Sequence, residues 1–74
     1  MYHIGEEIHK ESKRQMYTVQ QFAQRLGCSL SKTYAIFKKH DFTISELERI
    51  GEILRRDFLL EYAKSKYADD AEEM

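Results

Sequence analysis

Apolar residues recur along this chain at the three- and four-residue spacing of helices, and residues suited to capping mark where several of those helices begin. The clearest stretch is 18–37, TVQQFAQRLGCSLSKTYAIF. Thr18 and Gln21 form a capping box, Tyr17 and Phe22 can staple across it, and Val19, Phe22, Ala23 and Leu26 supply the apolar stripe of a second helix. Gly27 ends that helix, because a left-handed backbone costs a glycine nothing and turns the chain sharply. Ala23 is small enough to let two helices cross closely. Ser29 then caps a third helix running to about Lys39. Its inward stripe is Thr33, Ile36 and Phe37, with His40 at the far end; its outward stripe is Leu30, Ser31, Tyr34, Ala35 and Lys38.

The flanking segments carry weaker versions of the same signals. Ile4 to about Arg14 reads as a first helix with a thin stripe, Ile4 and Ile8. Thr43 and Glu46 repeat the capping box, Phe42 and Leu47 can staple around it, and Ile44, Leu47, Ile50, Ile53 and Leu54 give the best-defined buried face in the chain. Asp57 caps a short fifth helix, Phe58 to about Lys66. Its Phe58, Leu59, Leu60, Tyr62 and Ala63 outnumber one narrow stripe, so Leu59, Leu60 and Tyr62 become candidates for contact with a second subunit. The pattern therefore predicts an all-α domain over 1–66. The acidic end, 67–74 (YADDAEEM), is expected to be disordered.

Size narrows the function classes. The 74 residues make one domain, and a chain of roughly 60 residues buries only about 60% of its unfolded surface, which leaves little room for a catalytic cleft. The single cysteine, Cys28, excludes an intrachain disulfide and reads as a small hydrophobe in a reducing compartment. No apolar run is long enough to cross a bilayer, and the first residues are polar, so a cytoplasmic location is expected. His3, His9 and His40 are scattered. His3 with Glu7, or His9 with Lys13, share a helix face without a third ligand, and solvated side chains explain them better than a metal. Gly5, Gly27 and Gly51 form no phosphate loop. No enzyme, cofactor, metal or small-molecule ligand is called for.

Charge changes the picture more. The formal net charge is only −1, yet between Ser12 and His40 there is no acid, against Lys13, Arg14, Arg25, Lys32, Lys38 and Lys39. The acids gather from Asp41 onward. The basic half coincides with the second and third helices, where a phosphate-binding surface would be needed.

Phe22-Ala23, Leu26-Gly27-Cys28-Ser29 and Ile36-Phe37, followed by Leu47, Ile50, Ile53 and Leu54, resemble the phage repressor and Cro type of helix-turn-helix domain. The resemblance covers residues 4 to about 60 and implies a compact five-helix bundle of the lambda-repressor-like type, working as a homodimer on double-stranded DNA. It implies that the third helix enters the major groove, with Leu30, Ser31, Ala35 and Tyr34 at base edges. Phosphates would fall to Thr18, Gln20, Lys32, Lys38, Lys39 and Thr43, and Arg25 would add to affinity.

The chain departs from that family at the positions that read bases. Leu30, Ser31 and Ala35 stand where relatives often carry glutamine, asparagine or arginine, and none of the three can form a bidentate bond to guanine or adenine. The expectation is a transcription regulator with a strong phosphate contribution and modest base discrimination. The competing reading is a protein-interaction or assembly module on the same helical fold, with Leu30 and Tyr34 as its apolar contact face.

Overall fold

Each helix starts where a side chain can take up a free backbone amide. The computed structural model describes residues 2–65 in full and 66–73 as backbone. Its elements are α1 (Ile4–Arg14), α2 (Val19–Leu26), α3 (Leu30–Lys38), α4 (Ile44–Leu54) and α5 (Phe58–Glu73), with no strand among the described residues. Both expected capping boxes form, Thr18 with Gln21 and Thr43 with Glu46. Ser29 Oγ accepts from the Lys32 amide at 3.2 Å, and Asp57 Oδ1 from the Leu60 amide at 2.9 Å. At α1 the cap is a histidine: His3 Nδ1 accepts from the Glu6 amide at 3.1 Å.

The ends of α1, α2 and α4 share one backbone device, whereas α3 closes on an extended Lys39. At Gly27 (φ 73°) the Cys28 amide donates to the Ala23 carbonyl at 3.0 Å and the Gly27 amide to Gln24 at 3.2 Å, the Schellman pattern that takes up the last carbonyls of a helix. Met16 (φ 68°) makes the same pair of bonds after α1, through Tyr17 to Ser12 and Met16 to Lys13. Arg55 (φ 55°) closes α4, with the Arg56 amide on the Gly51 carbonyl at 3.1 Å. Only one of these left-handed positions holds a glycine.

Ile4 and Ile8 from α1, Phe22 and Leu26 from α2, Ile36 and Phe37 from α3, Leu47, Ile50 and Leu54 from α4, and Phe58 from α5 form a single buried cluster. Fully burying one such side chain contributes about 1.5–3 kcal/mol, so the thin stripe on α1 suffices to dock it. Two expectations change. Ile44, placed on the buried face of the fourth helix, is 63% exposed at the first position of α4, whereas Leu47, Ile50 and Leu54 are buried. The fifth helix, expected to end near Lys66, runs to Glu73. The disorder expected over 67–74 falls outside the fully described residues.

Charged side chains join α5 to α1. The Arg56 guanidinium donates to both oxygens of Glu61 at 2.6 Å, to Glu11 at 2.9 Å and to Glu7 at 3.3 Å. Tyr2 OH donates to Glu61 at 3.2 Å, and the Gln15 amide bridges Glu11 at 3.0 Å and the Leu54 carbonyl at 2.6 Å. Glu11 is buried, and its charge persists because these donors surround it.

Candidate nucleic-acid interface

α3 is held from behind by aromatic rings. Phe37 lies flat between His9 of α1, with ring centroids 4.0 Å apart and planes 8° apart, and Phe22 of α2, at 5.9 Å and 7°. Thr33 is buried beside them, its hydroxyl donating to the Ser29 carbonyl at 2.9 Å. His9 is thus a packing residue and not the solvated side chain expected from the sequence, and burial followed by the nearby Lys13 lowers its pKa.

With Thr33, Ile36 and Phe37 turned inward, the opposite face of α3 presents Leu30, Tyr34, Lys38, Ser31 and Ala35 in order around the helix, all exposed. Tyr34 meets Phe37 edge-on at 6.3 Å, so its ring has one supported side and one free side. Lys32 is also exposed but lies toward α4, where it borders a crevice with Cys28, Ile36, Glu46 and Arg49.

Thr18 and Gln20 are exposed at the start of α2, and Thr43 at the start of α4. The Thr18 hydroxyl accepts from the Gln21 amide at 3.1 Å and the Thr43 hydroxyl from the Glu46 amide at 3.2 Å, which leaves each O–H proton available to donate. The first amides of each helix, at Val19 and Gln20 and at Ile44 and Ser45, come too early in the helix for an intrahelical partner. Two helix starts of this kind offer donors to anionic oxygens.

The cations are less gathered than their sequence clustering suggests. Lys38 is exposed on the outward face of α3. Lys39 lies over the Phe42 ring, 4.9 Å from its centroid, and its ammonium pairs with Glu46 at 2.8 Å. That ammonium, and then the Thr43 amide, hold the Glu46 carboxyl below its ordinary pKa. Arg25 sits over Tyr17 among Gln15, Glu52, Ile53 and Arg55, none of them in α3, so the fold does not bring it to the α3 face. Arg14 pairs with Glu11 at 3.3 Å.

No group of three or more metal-ligating side chains exists among the described residues. The rings of His3 and His40 do meet, with centroids 4.2 Å apart, which their separation in sequence gave no reason to expect. None of the described helices is long and apolar enough to cross a membrane. Comparison with family models, with curated proteins and with solved structures returns no match.

Proposed function

We propose that the chain is a DNA-binding regulator of transcription of the repressor and Cro type. In this reading α2, the Gly27 turn and α3 act as the helix-turn-helix, α3 enters the major groove, and the starts of α2 and α4 meet phosphates. One observation carries the proposal. α3 is held from behind, its Phe37 ring stacked on His9 of α1 and Phe22 of α2, while its outward face is exposed, and neither α2 nor α3 contains an acid. An acid-free helix with an exposed outward face suits a polyanionic groove. The proposed working form is a homodimer in which α5 supplies the contact: Leu59 and Tyr62 pack partly on the core, and Leu60 beside them is 49% exposed.

Binding to duplex DNA across a salt series tests this reading. Affinity should fall steeply with salt, with a logarithmic slope of about −0.9 for each phosphate neutralised. A flat response, or no retention at low salt, would remove the proposal. Sedimentation of the free protein should give twice the monomer mass, and enrichment from random duplexes should return a two-fold-related site. The exposed pair Leu30 and Tyr34 favours a second reading, a protein-contact face on the same fold. Under that reading Tyr34→Ala would leave DNA retention unchanged.

A further inference from the structure

The outward face of α3 is poor in the groups that usually read base edges. Leu30 is 42% and Tyr34 52% exposed, and Ala35 is exposed in the following turn. Ser31 and Tyr34 each bring one hydroxyl. No side chain on this face has the paired donor and acceptor of an amide or the fork of a guanidinium, so guanine and adenine have no bidentate partner here. Leucine and alanine gain most by excluding water from another apolar group. In the major groove that group is the C5 methyl of thymine.

Charge decides which occupant suits the apolar part. Lys32 and Lys38 are exposed on α3, and neither α2 nor α3 has an acid to repel a polyanion. An apolar protein groove would have no use for these cations, whereas a duplex supplies both the phosphates and the methyls. The support of the Tyr34 ring by Phe37 keeps it in place beside Leu30.

Resting on the DNA-binding reading, we propose that α3 recognises duplex DNA through thymine methyl groups. Leu30 and Ala35 cover the methyls and Tyr34 flanks them, so the favoured targets are A·T-containing sites distinguished by shape and methyl position more than by hydrogen-bond pattern. Leu30 opens α3 and Ala35 lies in its second turn, so they reach different base pairs.

The test starts from duplexes that the full chain enriches from random-sequence DNA. These are resynthesised with deoxyuridine in place of thymine, which removes the methyl and keeps every base-edge donor and acceptor. Each covered methyl should change Kd about fourfold, the worth of one buried carbon, while the salt slope stays the same for both duplexes because the phosphates are unaltered. Leu30→Ala should weaken binding to the thymine duplex and leave the uracil duplex nearly unaffected. Equal affinity for the two duplexes, or enriched sites without thymine, overturns the methyl proposal and leaves the DNA-binding reading standing. Failure to retain any duplex at low salt overturns both.

Discussion

The Cα of Gly5 lies so close to the end of α3 that a Cβ there would stand 2.6 Å from the carbonyl oxygen of Phe37 and 2.8 Å from those of Ile36 and Lys39. The first turn of α1 therefore rests directly on the carbonyls that close α3. Backbone, unlike the tip of a side chain, cannot step aside. Gly5→Ala should destabilise the protein by about 2 kcal/mol despite the better helix propensity of alanine, because the added carbon acts as overpacking. For a domain of this size that lowers Tm by on the order of 10 °C. An unchanged Tm would mean that α1 and α3 can slide apart.

The left-handed helix ends give a paired prediction. Met16 is 85% exposed at φ 68°, so its side chain contributes little packing while its backbone bears the cost of the left-handed region. Met16→Gly should stabilise by about 1 kcal/mol. Gly27→Ala should cost a similar amount, since its new Cβ would meet only the movable Arg49 guanidinium, at 3.3 Å. Urea unfolding of the two variants would show Cm moving in opposite directions at constant m.

Three carboxylates and one imidazole set the acid limit of stability. Burial and then Lys13 lower the His9 pKa from 6.5, so the unfolded chain takes the proton first and stability falls as pH drops below that value. Glu11, through the Gln15 amide and then Arg56, Glu46, through Lys39, and Glu61, through Arg56, are lowered from 4.5; their contribution is present above that pH and is lost below it. Tyr2 moves the other way. Burial and then Glu61 raise it, so its contribution is complete below pH 10.0 and fades above. Cm against pH should show a plateau with a shallow first step down below 6.5, a steeper loss below 4.5 and a decline past 10. His9→Phe, which keeps a ring against Phe37, should remove the first step alone.

Removing the guanidinium that holds Glu7, Glu11 and Glu61 should be costly, because three carboxylates would be left facing one another. Arg56→Met is expected to lose about 2 kcal/mol, between the values for exposed and fully buried pairs, since Arg56 keeps 23% of its side chain in solvent. The deficit should shrink below pH 4.5 as Glu11 and Glu61 take up protons. A deficit independent of pH would make the lost packing of Arg56 on Phe58 the main cause, their centres being 4.8 Å apart.

Legibility followed the range of each interaction. The caps at Thr18, Ser29, Thr43 and Asp57 reach three residues along the chain and could be read from spacing, as could the turn at Gly27. The left-handed backbone at Met16 and Arg55 could not, although α1 and α4 end at Arg14 and Leu54 as their apolar spacing indicates, because neither residue type favours that conformation. Nor could the Arg56 cluster, whose members come from α1, the α4–α5 turn and α5. At the candidate site, the outward face of α3 followed from helical periodicity, so the exposure of Leu30, Ser31, Tyr34, Ala35 and Lys38 was legible. Which cations stand beside that face was not, because the placement of Arg25 depends on how α2 crosses α4 and that of Lys39 on a carboxylate across the next turn.

Glu46 closes the cap of α4 and also holds the ammonium of Lys39. A phosphate brought to the start of α4 would therefore bid against a carboxylate that already serves the fold. If the proposed phosphate contact is made there, firmness of the free protein and grip on the anion would draw on the same lysine, so a change that strengthens one at this corner would weaken the other. The single contact of 2.8 Å between Lys39 and Glu46 would then set the balance between the two.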